Sequence, residues 1–304
     1  MTRDSFGLGC WAYGLAAPGS EEERSAAAVV REAYRRGVRH FDTAHGYGDG
    51  QSEAIVGAAL AGLGDAEIAT KSGLLPAQET RNAVERSRQR LQRDTIDLFY
   101  IHWPKRGVDA RPMLAELEQA RAAGLIRRIG VSNFSRKDLH RAAEVARVDV
   151  HQVGYNLLWR YPEREVLPYC RERDIAVFSY SSLAQGLLTG KMPRRPAFAP
   201  TDPRPNTVYY DAEVWPHIYA AVERMKEIAA AAGQPLHHLA LQWLVESATV
   251  ARVLVGARSI EQLHDNLAAF EQPAAVDARA QLQQISDDVH THIPDVGNMF
   301  MYYP

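Results

Sequence analysis

The sequence GVRHFDTAHGYGDGQSEAIVG (residues 37–57) joins an apolar run, a polar residue where that run ends, a glycine-rich turn and a helical pattern. The run VRHF ends at Asp42, Tyr47 follows five residues later, and the helical pattern begins at about Gln51. A short apolar run followed by an amphipathic stretch predicts one strand and one helix of an α/β unit. The unit therefore brings a carboxylate and a phenol to the end of a buried strand.

The same unit recurs along the chain, and in six consecutive units a polar residue stands at the end of the strand. These residues are Asp42, Lys71, His102, Asn133, Gln152 and Tyr180. The predicted strands cover residues 6–10, 38–42, 67–71, 96–102, 126–133, 148–156, 175–181 and 251–257. The predicted helices cover residues 20–36, 79–93, 213–232 and 236–246, and others begin at about residues 51, 111, 135, 163 and 259. Eight such units predict a (β/α)8 TIM barrel, a single α/β domain over residues 1–304 with its site on one face.

Helix starts are marked by hydroxyl residues followed three positions later by an acid or amide. Ser20 with Glu23, and Ser135 with Asp138, have this spacing. The spacing predicts a capping box, in which each side chain binds the backbone N–H of the other residue.

Composition excludes several classes of protein. The 304 residues are 46% hydrophobic and carry a formal net charge of −2 at pH 7, without a block of Lys or Arg. This argues against nucleic acid or a membrane surface as the main partner, and no apolar stretch is long enough to span a bilayer. The first residues lack the pattern of a signal peptide, and Cys10 and Cys170 form no CxxC pair. We expect a cytoplasmic protein without disulfides, whose oligomeric state the sequence does not predict.

Two segments exceed the basic plan of a barrel. The connection after the seventh strand, residues 183–211, is far longer than the usual loop of a few residues, and it leaves the face where the polar residues gather. It is a candidate lid or pocket wall. The tail, residues 291–304 (THIPDVGNMFMYYP), is apolar and aromatic, so we expect it to fold over the mouth of the barrel.

Four of the polar residues suit proton transfer. A free phenol has a pKa near 10 and is a poor proton donor or acceptor at neutral pH, whereas a nearby ammonium favours the phenolate and lowers that pKa. Lys71 can supply the charge to Tyr47, Asp42 can hold Lys71, and His102 can hydrogen-bond a substrate oxygen. The set suits protonation of a carbonyl oxygen as it becomes an alkoxide. Since no strong nucleophile and no metal-ligand spacing is present, we expect a cofactor to supply a hydride.

The segments that carry these residues closely resemble the aldo-keto reductase superfamily. Seven matches follow one another in the family's order, from about Gly7 to Asn266. They are residues 37–57, ATKSG, LFYIHWP, GVSNF, HQVGYN, FSYSSLAQGLLTGK and VGARSIEQLHDN. The resemblance implies the same barrel and an NADPH-dependent oxidoreductase that reduces an aldehyde or ketone. In such enzymes Tyr47 corresponds to the general acid/base, Lys71 and Asp42 to the pair that lowers its pKa, and His102 to the residue that orients the carbonyl.

The resemblance also implies a set of cofactor-binding residues. Ser132, Asn133 and Gln152 correspond to the residues that bind the nicotinamide carboxamide, and Tyr180 to the ring that stacks on the nicotinamide. Ser181, Leu183, Gln185 and Gly186 correspond to the pyrophosphate loop, and Gly256, Arg258, Gln262 and Asn266 to the segment that holds the adenosine end. Arg258 before a helix N-terminus suits a 2′-phosphate and favours NADPH over NADH. Ser259 and Gln262 also have capping-box spacing, which is an alternative role for Gln262.

The remaining assignments concern the pocket and the other histidines. Cys10 and Trp11 lie near the cofactor by register, and Trp11, Trp103 and Tyr13 are predicted to line the substrate pocket, together with Tyr47 and His102. We predict no metal site: His290 and His292 lack a third ligand, and His237 and His238 are expected to be structural. Two other classes stay open, a nucleotide-binding regulatory protein resembling potassium-channel β-subunits, and a non-redox lyase or isomerase.

Overall fold

The centre of the computed structural model, which describes residues 3–272 and 275–302, is a closed barrel of eight parallel strands. Each strand pairs with its neighbours in sequence, and the eighth pairs with the first. The strands are β1 Phe6–Gly9, β2 His40–Asp42, β3 Glu67–Ser72, β4 Ile96–Ile101, β5 Ile126–Ser132, β6 Val150–Gly154, β7 Ala176–Tyr180 and β8 Val250–Gly256. The predicted (β/α)8 TIM barrel is confirmed.

Helices surround the barrel and cover its outer face. They are α1 Glu21–Arg35, α2 Gln51–Ala59, α3 Ala77–Leu91, α4 Arg111–Ala122, α5 Arg136–Ala142, α6 Val166–Glu172, α7 Trp215–Ala231, α8 Leu236–Val245, α9 Ile260–Glu271 and α10 Val276–His290. None of these helices is long and apolar enough to cross a membrane.

Apolar side chains fill the barrel on both sides of the strands. The larger cluster lies between strands and helices, and a smaller one is formed by Ala69, Leu98, Tyr100, Val150 and Phe178. Members of the smaller cluster stand two positions before polar site residues on the same strands, for example Ala69 before Lys71 and Phe178 before Tyr180, so both sets face the barrel interior. Gly130 on β5 makes room for this cluster, because a Cβ there would lie 2.3 Å from a ring atom of Tyr100.

Capping differs from prediction at α1, and in the same way at α9, where the Gln262 side chain accepts from the backbone N–H of Arg258 and not from that of Ser259. Ser135 and Asp138 form the reciprocal capping box of α5. At α1 the Ser20 hydroxyl accepts from the backbone N–H of Glu23, but the Glu23 carboxylate accepts from Gly19 instead of Ser20. The predicted box is therefore half formed there. The carboxylate reaches one residue further back because Gly19 turns the chain with φ +78°.

Several predicted boundaries are wrong by a few residues. The predicted strand over residues 148–156 is shortened to β6, because Asn156 leaves the sheet: its side-chain oxygen accepts from the backbone N–H of Leu158 at 2.8 Å, a local turn that competes with strand pairing. The helix predicted from about Glu163 begins at Val166, after a 3-10 turn over Tyr161–Glu163. The helix predicted over residues 79–93 ends at Leu91, because Gln92 adopts a left-handed conformation.

The long connection after β7 and the tail meet above the carboxyl ends of the strands. The connection begins with the 3-10 helix Ala184–Thr189, and we call its remainder, residues 190–211, the lid. The backbone N–H of Val208 in the lid donates to the carbonyl oxygen of Met299 in the tail at 2.9 Å. The tail then places Phe300 and Tyr302 against Trp103, the second residue after β4. The tail therefore lies over the mouth, as its composition predicts.

Candidate active site

The four residues of the predicted proton-transfer set meet at the carboxyl ends of β2, β3 and β4. Asp42 is the last residue of β2, Lys71 lies in β3, and His102 directly follows β4. Tyr47 lies on the loop between β2 and α2. The carboxyl ends of parallel strands share one face of a barrel, so residues separated by up to 60 positions become neighbours.

Lys71 is at the centre of the set and is fully buried. Its ammonium forms an ion pair with Asp42, donates to the carbonyl oxygen of Thr43 at 2.8 Å, and lies 3.5 Å from the hydroxyl oxygen of Tyr47. The second carboxylate oxygen of Asp42 accepts from the Gln152 amide at 2.7 Å. Lys71 therefore has its three donors directed at a carboxylate, a carbonyl and the phenol, which fixes its position.

Two glycines hold the loop that carries Tyr47. Gly14 lies so close to this loop that a Cβ on it would be 2.3 Å from the carbonyl carbon of Tyr47. Gly48 faces Gly14 from the other side and has φ +68°, a conformation that disfavours other residues. The backbone of Gly14, in the segment after β1, packs directly on the backbone of the loop that carries Tyr47. The position of the phenol therefore depends on this segment as well as on the barrel.

The pKa of Tyr47 departs from the sequence prediction. Burial raises it, the Lys71 charge lowers it, Asp42 raises it again, and the net direction is upward from the ordinary value of 10. The predicted lowering by Lys71 is present, but burial outweighs it. Burial lowers the pKa of Lys71, but the interactions with Asp42 and Tyr47 outweigh burial and raise this pKa overall. The phenol keeps its proton at neutral pH beside a charged ammonium, which is the state of a proton donor.

His102 is a neutral imidazole at physiological pH. Burial, reinforced by the Lys71 charge, lowers the pKa of His102 to about 3. Its ring lies 5.6 Å from the Tyr47 ring, centroid to centroid, at 75°. A neutral imidazole can donate one N–H to a substrate oxygen without adding a competing charge beside Lys71. The phenol and the imidazole thus present two donors to one space at the mouth of the barrel.

The residues predicted to bind the nicotinamide lie beside this set. Asn133, in the left-handed region with φ 56°, donates to the Ser132 hydroxyl at 3.2 Å and accepts from the Tyr180 hydroxyl at 2.9 Å. The amide nitrogen of Gln152 donates to Asp42, and this hydrogen bond links the predicted nicotinamide-binding residues to the proton-transfer set. Ser132, Asn133 and Gln152 are buried, and Tyr180 is half-buried at the end of β7. The structure brings these four residues together; their contact with a nicotinamide stays a prediction.

The predicted pyrophosphate loop has an unusual backbone. Three non-glycine residues have positive φ, namely Ser181 at 49°, Ala184 at 49° and Gln185 at 56°, and Gly186 follows at 91°. Leu183 lies between Ser181 and Ala184 and is the N-cap of the 3-10 helix. Such conformations cost free energy and concentrate at binding sites, where successive N–H groups can form a concave anion site. The backbone here is of the kind that binds anions, and its contact with a diphosphate stays a prediction.

The adenosine-end segment is connected by its own hydrogen bonds. Asn266 donates to the Gly256 carbonyl oxygen at 3.1 Å, and the Gln262 side chain accepts from the Arg258 backbone N–H at 2.8 Å. The Arg258 side chain is exposed. Asp202 in the lid has a pKa lowered chiefly by Arg204, with Arg258 contributing at longer range. The lid therefore approaches the predicted 2′-phosphate site. Gln262 has the local cap-like role that was its alternative, and its cofactor contact stays a prediction.

Aromatic residues lie at the mouth of the barrel, where the substrate pocket is predicted. Trp11 is 44% exposed at the mouth, and Trp103 contacts both Phe300 and Tyr302. Phe300 also lies parallel to Tyr180, at 13° and 6.2 Å between ring centroids. Tyr13 is buried and donates to the Ala257 carbonyl oxygen at 3.0 Å, so its hydroxyl is engaged with the end of β8. Its predicted substrate contact stays a prediction.

Cys10 is fully buried at the end of β1. Burial, with the Asp42 charge, raises the pKa of its thiol well above the ordinary value. The thiol is therefore not a nucleophile at neutral pH. Its backbone N–H donates to the Asp42 carbonyl oxygen at 2.8 Å. This hydrogen bond connects the end of β1 to the start of the loop that carries Tyr47.

Sequence reasoning missed Gly14, Phe300 and Tyr302 as site residues. The aromatic composition of the tail was the available signal for the last two. No signal marked Gly14, because its partner Gly48 is 34 positions away and the contact is between backbones.

Residues 5–287 match the model of the aldo/keto reductase family, and the chain belongs to that family. The NADH-specific methylglyoxal reductase of Escherichia coli (strain K12) is 31% identical over 297 residues, 89% of this chain and 90% of that protein. The structure of glycerol dehydrogenase AKR11B4 from Gluconobacter oxydans superposes with a TM-score of 0.86 at 30% identity, over 97% of this chain and 98% of the other. An aldo/keto reductase from Klebsiella pneumoniae, in complex with NADP and acetate, superposes with a TM-score of 0.75 at 27% identity, over 93% and 91%.

Proposed function

We propose that this aldo-keto reductase reduces an aldehyde or ketone to the alcohol with NADPH, and that Tyr47 is the general acid. The observation that carries the proposal is the placement of a protonated phenol 3.5 Å from a buried ammonium and beside a neutral imidazole. That arrangement supplies two hydrogen-bond donors to a carbonyl oxygen and a fixed positive charge behind them. A nicotinamide nucleotide bound at the carboxyl ends of β5–β8 supplies the hydride.

The protein's own groups then have distinct tasks. His102 donates an N–H to the carbonyl oxygen and orients it, and Tyr47 donates the proton as negative charge develops there. Lys71 stabilises the phenolate that remains, and Asp42 keeps Lys71 charged and in place. In the reverse direction the Tyr47 phenolate would take the hydroxyl proton of an alcohol, while the oxidised nicotinamide nucleotide would accept the hydride.

Absorbance of NADPH with 4-nitrobenzaldehyde tests the acid. We expect turnover by the wild type and a loss of roughly 100-fold or more in Tyr47→Phe, since only the proton donor is removed. Tyr34→Phe is a matched control, because the Tyr34 hydroxyl binds Asp65 at the surface. Near-wild-type turnover in Tyr47→Phe would refute the assignment.

NADPH is proposed over NADH on the geometry of Arg258, an exposed guanidinium just before the N-terminus of α9. The Klebsiella pneumoniae structure with NADP supports this preference, whereas the NADH-specific Escherichia coli relative argues against assuming it from family membership alone. A charge-assisted contact is worth about 1.5–3 kcal/mol, so Arg258→Ala should raise the Kd for NADPH about tenfold or more and leave NADH little changed. Equal losses for both nucleotides would contradict the role.

The regulatory alternative gains no support from the comparisons, which are with reductases and a dehydrogenase. It still makes a separate prediction: nucleotide that copurifies with the protein and does not turn over with any carbonyl. The aromatic wall of Trp11, Trp103 and Phe300 favours a flat or sugar-like carbonyl substrate.

A further inference from the structure

Two imidazoles and one carboxylate converge on the outer surface of the barrel, away from the active site. His237 and His238 are in the first turn of α8, and Asp265 lies on α9. The Nε2 atom of His237 is 2.9 Å from one oxygen of Asp265, and the Nε2 atom of His238 is 3.0 Å from the other. Within residues 3–272 and 275–302, this is the one group of three such residues with ligand atoms close enough to share a metal ion.

The environment of His238 orients its ring. The ring is buried, with 4% of the side chain exposed, and its Nδ1 atom lies 3.2 Å from the Gln272 side-chain oxygen. In the tautomer whose Nδ1–H donates to that oxygen, the Nε2 atom carries a lone pair that faces an Asp265 oxygen. Two acceptors 3.0 Å apart must be bridged by a proton or by a cation. A His held at Nδ1 by an amide oxygen, with Nε2 directed outward, is the usual second-shell arrangement of a metal ligand.

The three ligand atoms lie within 4.8 Å of one another. Small side-chain rotations therefore bring them to metal–ligand distances of about 2.0–2.2 Å. His237 has 12% of its side chain exposed and Asp265 has 53%, so an ion can reach the site from solvent and complete its coordination with water. The positive charge of Lys191 adds to burial in lowering the pKa of His237. The same charge repels a cation and should reduce the affinity of the site.

We propose that His237, His238 and Asp265 bind a divalent first-row transition metal. Two imidazole nitrogens and one carboxylate oxygen favour Zn²⁺, Cu²⁺, Ni²⁺ or Co²⁺ over Mg²⁺ or Ca²⁺, which take oxygen ligands. The ion joins α8 to α9, replacing the two direct contacts with the carboxylate. The proposal differs from our prediction from the sequence, which gave His237 and His238 a structural role and the chain no metal site.

Its position gives the site a connection to the lid. The 3-10 helix before the lid ends at Thr189, and a Cβ on the next residue, Gly190, would lie 3.7 Å from the Leu236 side chain at the start of α8. Lys191 is the second residue of the lid, and its positive charge adds to burial in lowering the pKa of His237. An ion at the site therefore fixes the helix terminus against which the lid begins.

The test uses the full chain after treatment with EDTA and dialysis. Titration calorimetry with Zn²⁺, and the visible absorption of Co²⁺, should each show one equivalent bound. Asp265→Asn keeps the shape of the side chain and should weaken binding at least tenfold, and Gln272→Ala should weaken it about tenfold through the loss of ring orientation. Saturating Zn²⁺ should raise the Tm of the wild type and leave that of Asp265→Asn unchanged.

The control removes a histidine from a different pair. His217 and His292 are exposed and stack at 3.8 Å between ring centroids. His292→Gln should therefore bind Zn²⁺ as the wild type does. The proposal is overturned if the wild type binds no ion, if Asp265→Asn binds as tightly as the wild type, or if His292→Gln abolishes binding. None of these measurements depends on reductase activity.

Discussion

Acid should destabilise this protein through the same property that suits His102 to its proposed role as a neutral hydrogen-bond donor. In the folded chain the pKa of His102 is about 3, because the ring is desolvated and lies near the Lys71 charge. In the unfolded chain a histidine has a pKa near 6.5. Between these two values the unfolded state binds a proton that the folded state refuses. The free energy of unfolding is therefore intact above pH 6.5 and falls progressively as the pH drops toward 3.

The size of the effect follows from the two pKa values. At pH 5 the unfolded imidazole is about 1.5 pH units below its pKa, and one unit corresponds to 1.36 kcal/mol. Protonation of the folded ring is negligible at that pH, so His102 should cost the protein about 2 kcal/mol between pH 8 and pH 5. Replacement of His102 by Asn, which does not titrate, should remove this share of the loss.

Urea-induced unfolding at pH 8 and pH 5 measures the difference directly. His151 is fully buried, and burial lowers its pKa to about 3 as well. Because His151 is still present in His102→Asn, that variant should still lose some stability at pH 5, but less than the wild type. His140 is exposed, and His140→Asn should lose as much stability as the wild type. If His102→Asn loses as much stability as the wild type between the two pH values, His102 is not held neutral by the fold, and its role as a neutral donor fails with it.

Three further outcomes follow from contacts in the site. Gly14→Ala should lower kcat at least tenfold, because its Cβ would lie 2.3 Å from the catalytic loop, whereas Gly64→Ala, with open space around it, should not. Lys71→Met should lower the free energy of unfolding, measured in urea, by about 3–5 kcal/mol, because it leaves the Asp42 carboxylate buried and unpaired. The double variant with Asp42→Asn should recover most of that stability without restoring turnover. Phe300→Ala should raise KM for aromatic aldehydes more than for glyceraldehyde, since its ring forms part of the pocket wall; equal changes would exclude a direct contact.

Most of the fold was predictable because each βα unit carries its own local signal. The run IDLFYI is buried over five of its six positions as β4, and the capping residues of α5 mark its start. Boundaries were less predictable where one side chain decides them. Asn156 ends β6 through a hydrogen bond within its own turn, and apolar content alone does not distinguish that outcome from a longer strand.

The members of the site were predictable and their protonation was not. The register of Asp42, Lys71 and His102 at successive strand ends follows from the repeat, whereas the pKa of Tyr47 depends on a balance between burial and two opposite charges. That balance is set by three-dimensional packing. The convergence of His237, His238 and Asp265 was hidden for the same reason, since it depends on how α8 packs on α9.

The hydrogen bond between Val208 in the lid and Met299 in the tail joins segments that are 91 positions apart in the chain. If the proposed function holds, we expect nucleotide exchange and substrate admission to be linked, because opening either segment breaks its hydrogen bond to the other. Attempts to alter substrate preference by grafting a tail from another family member should transfer residues 204–210 with it. A graft of the tail alone would exchange the pocket wall and at the same time change how long the nucleotide stays bound.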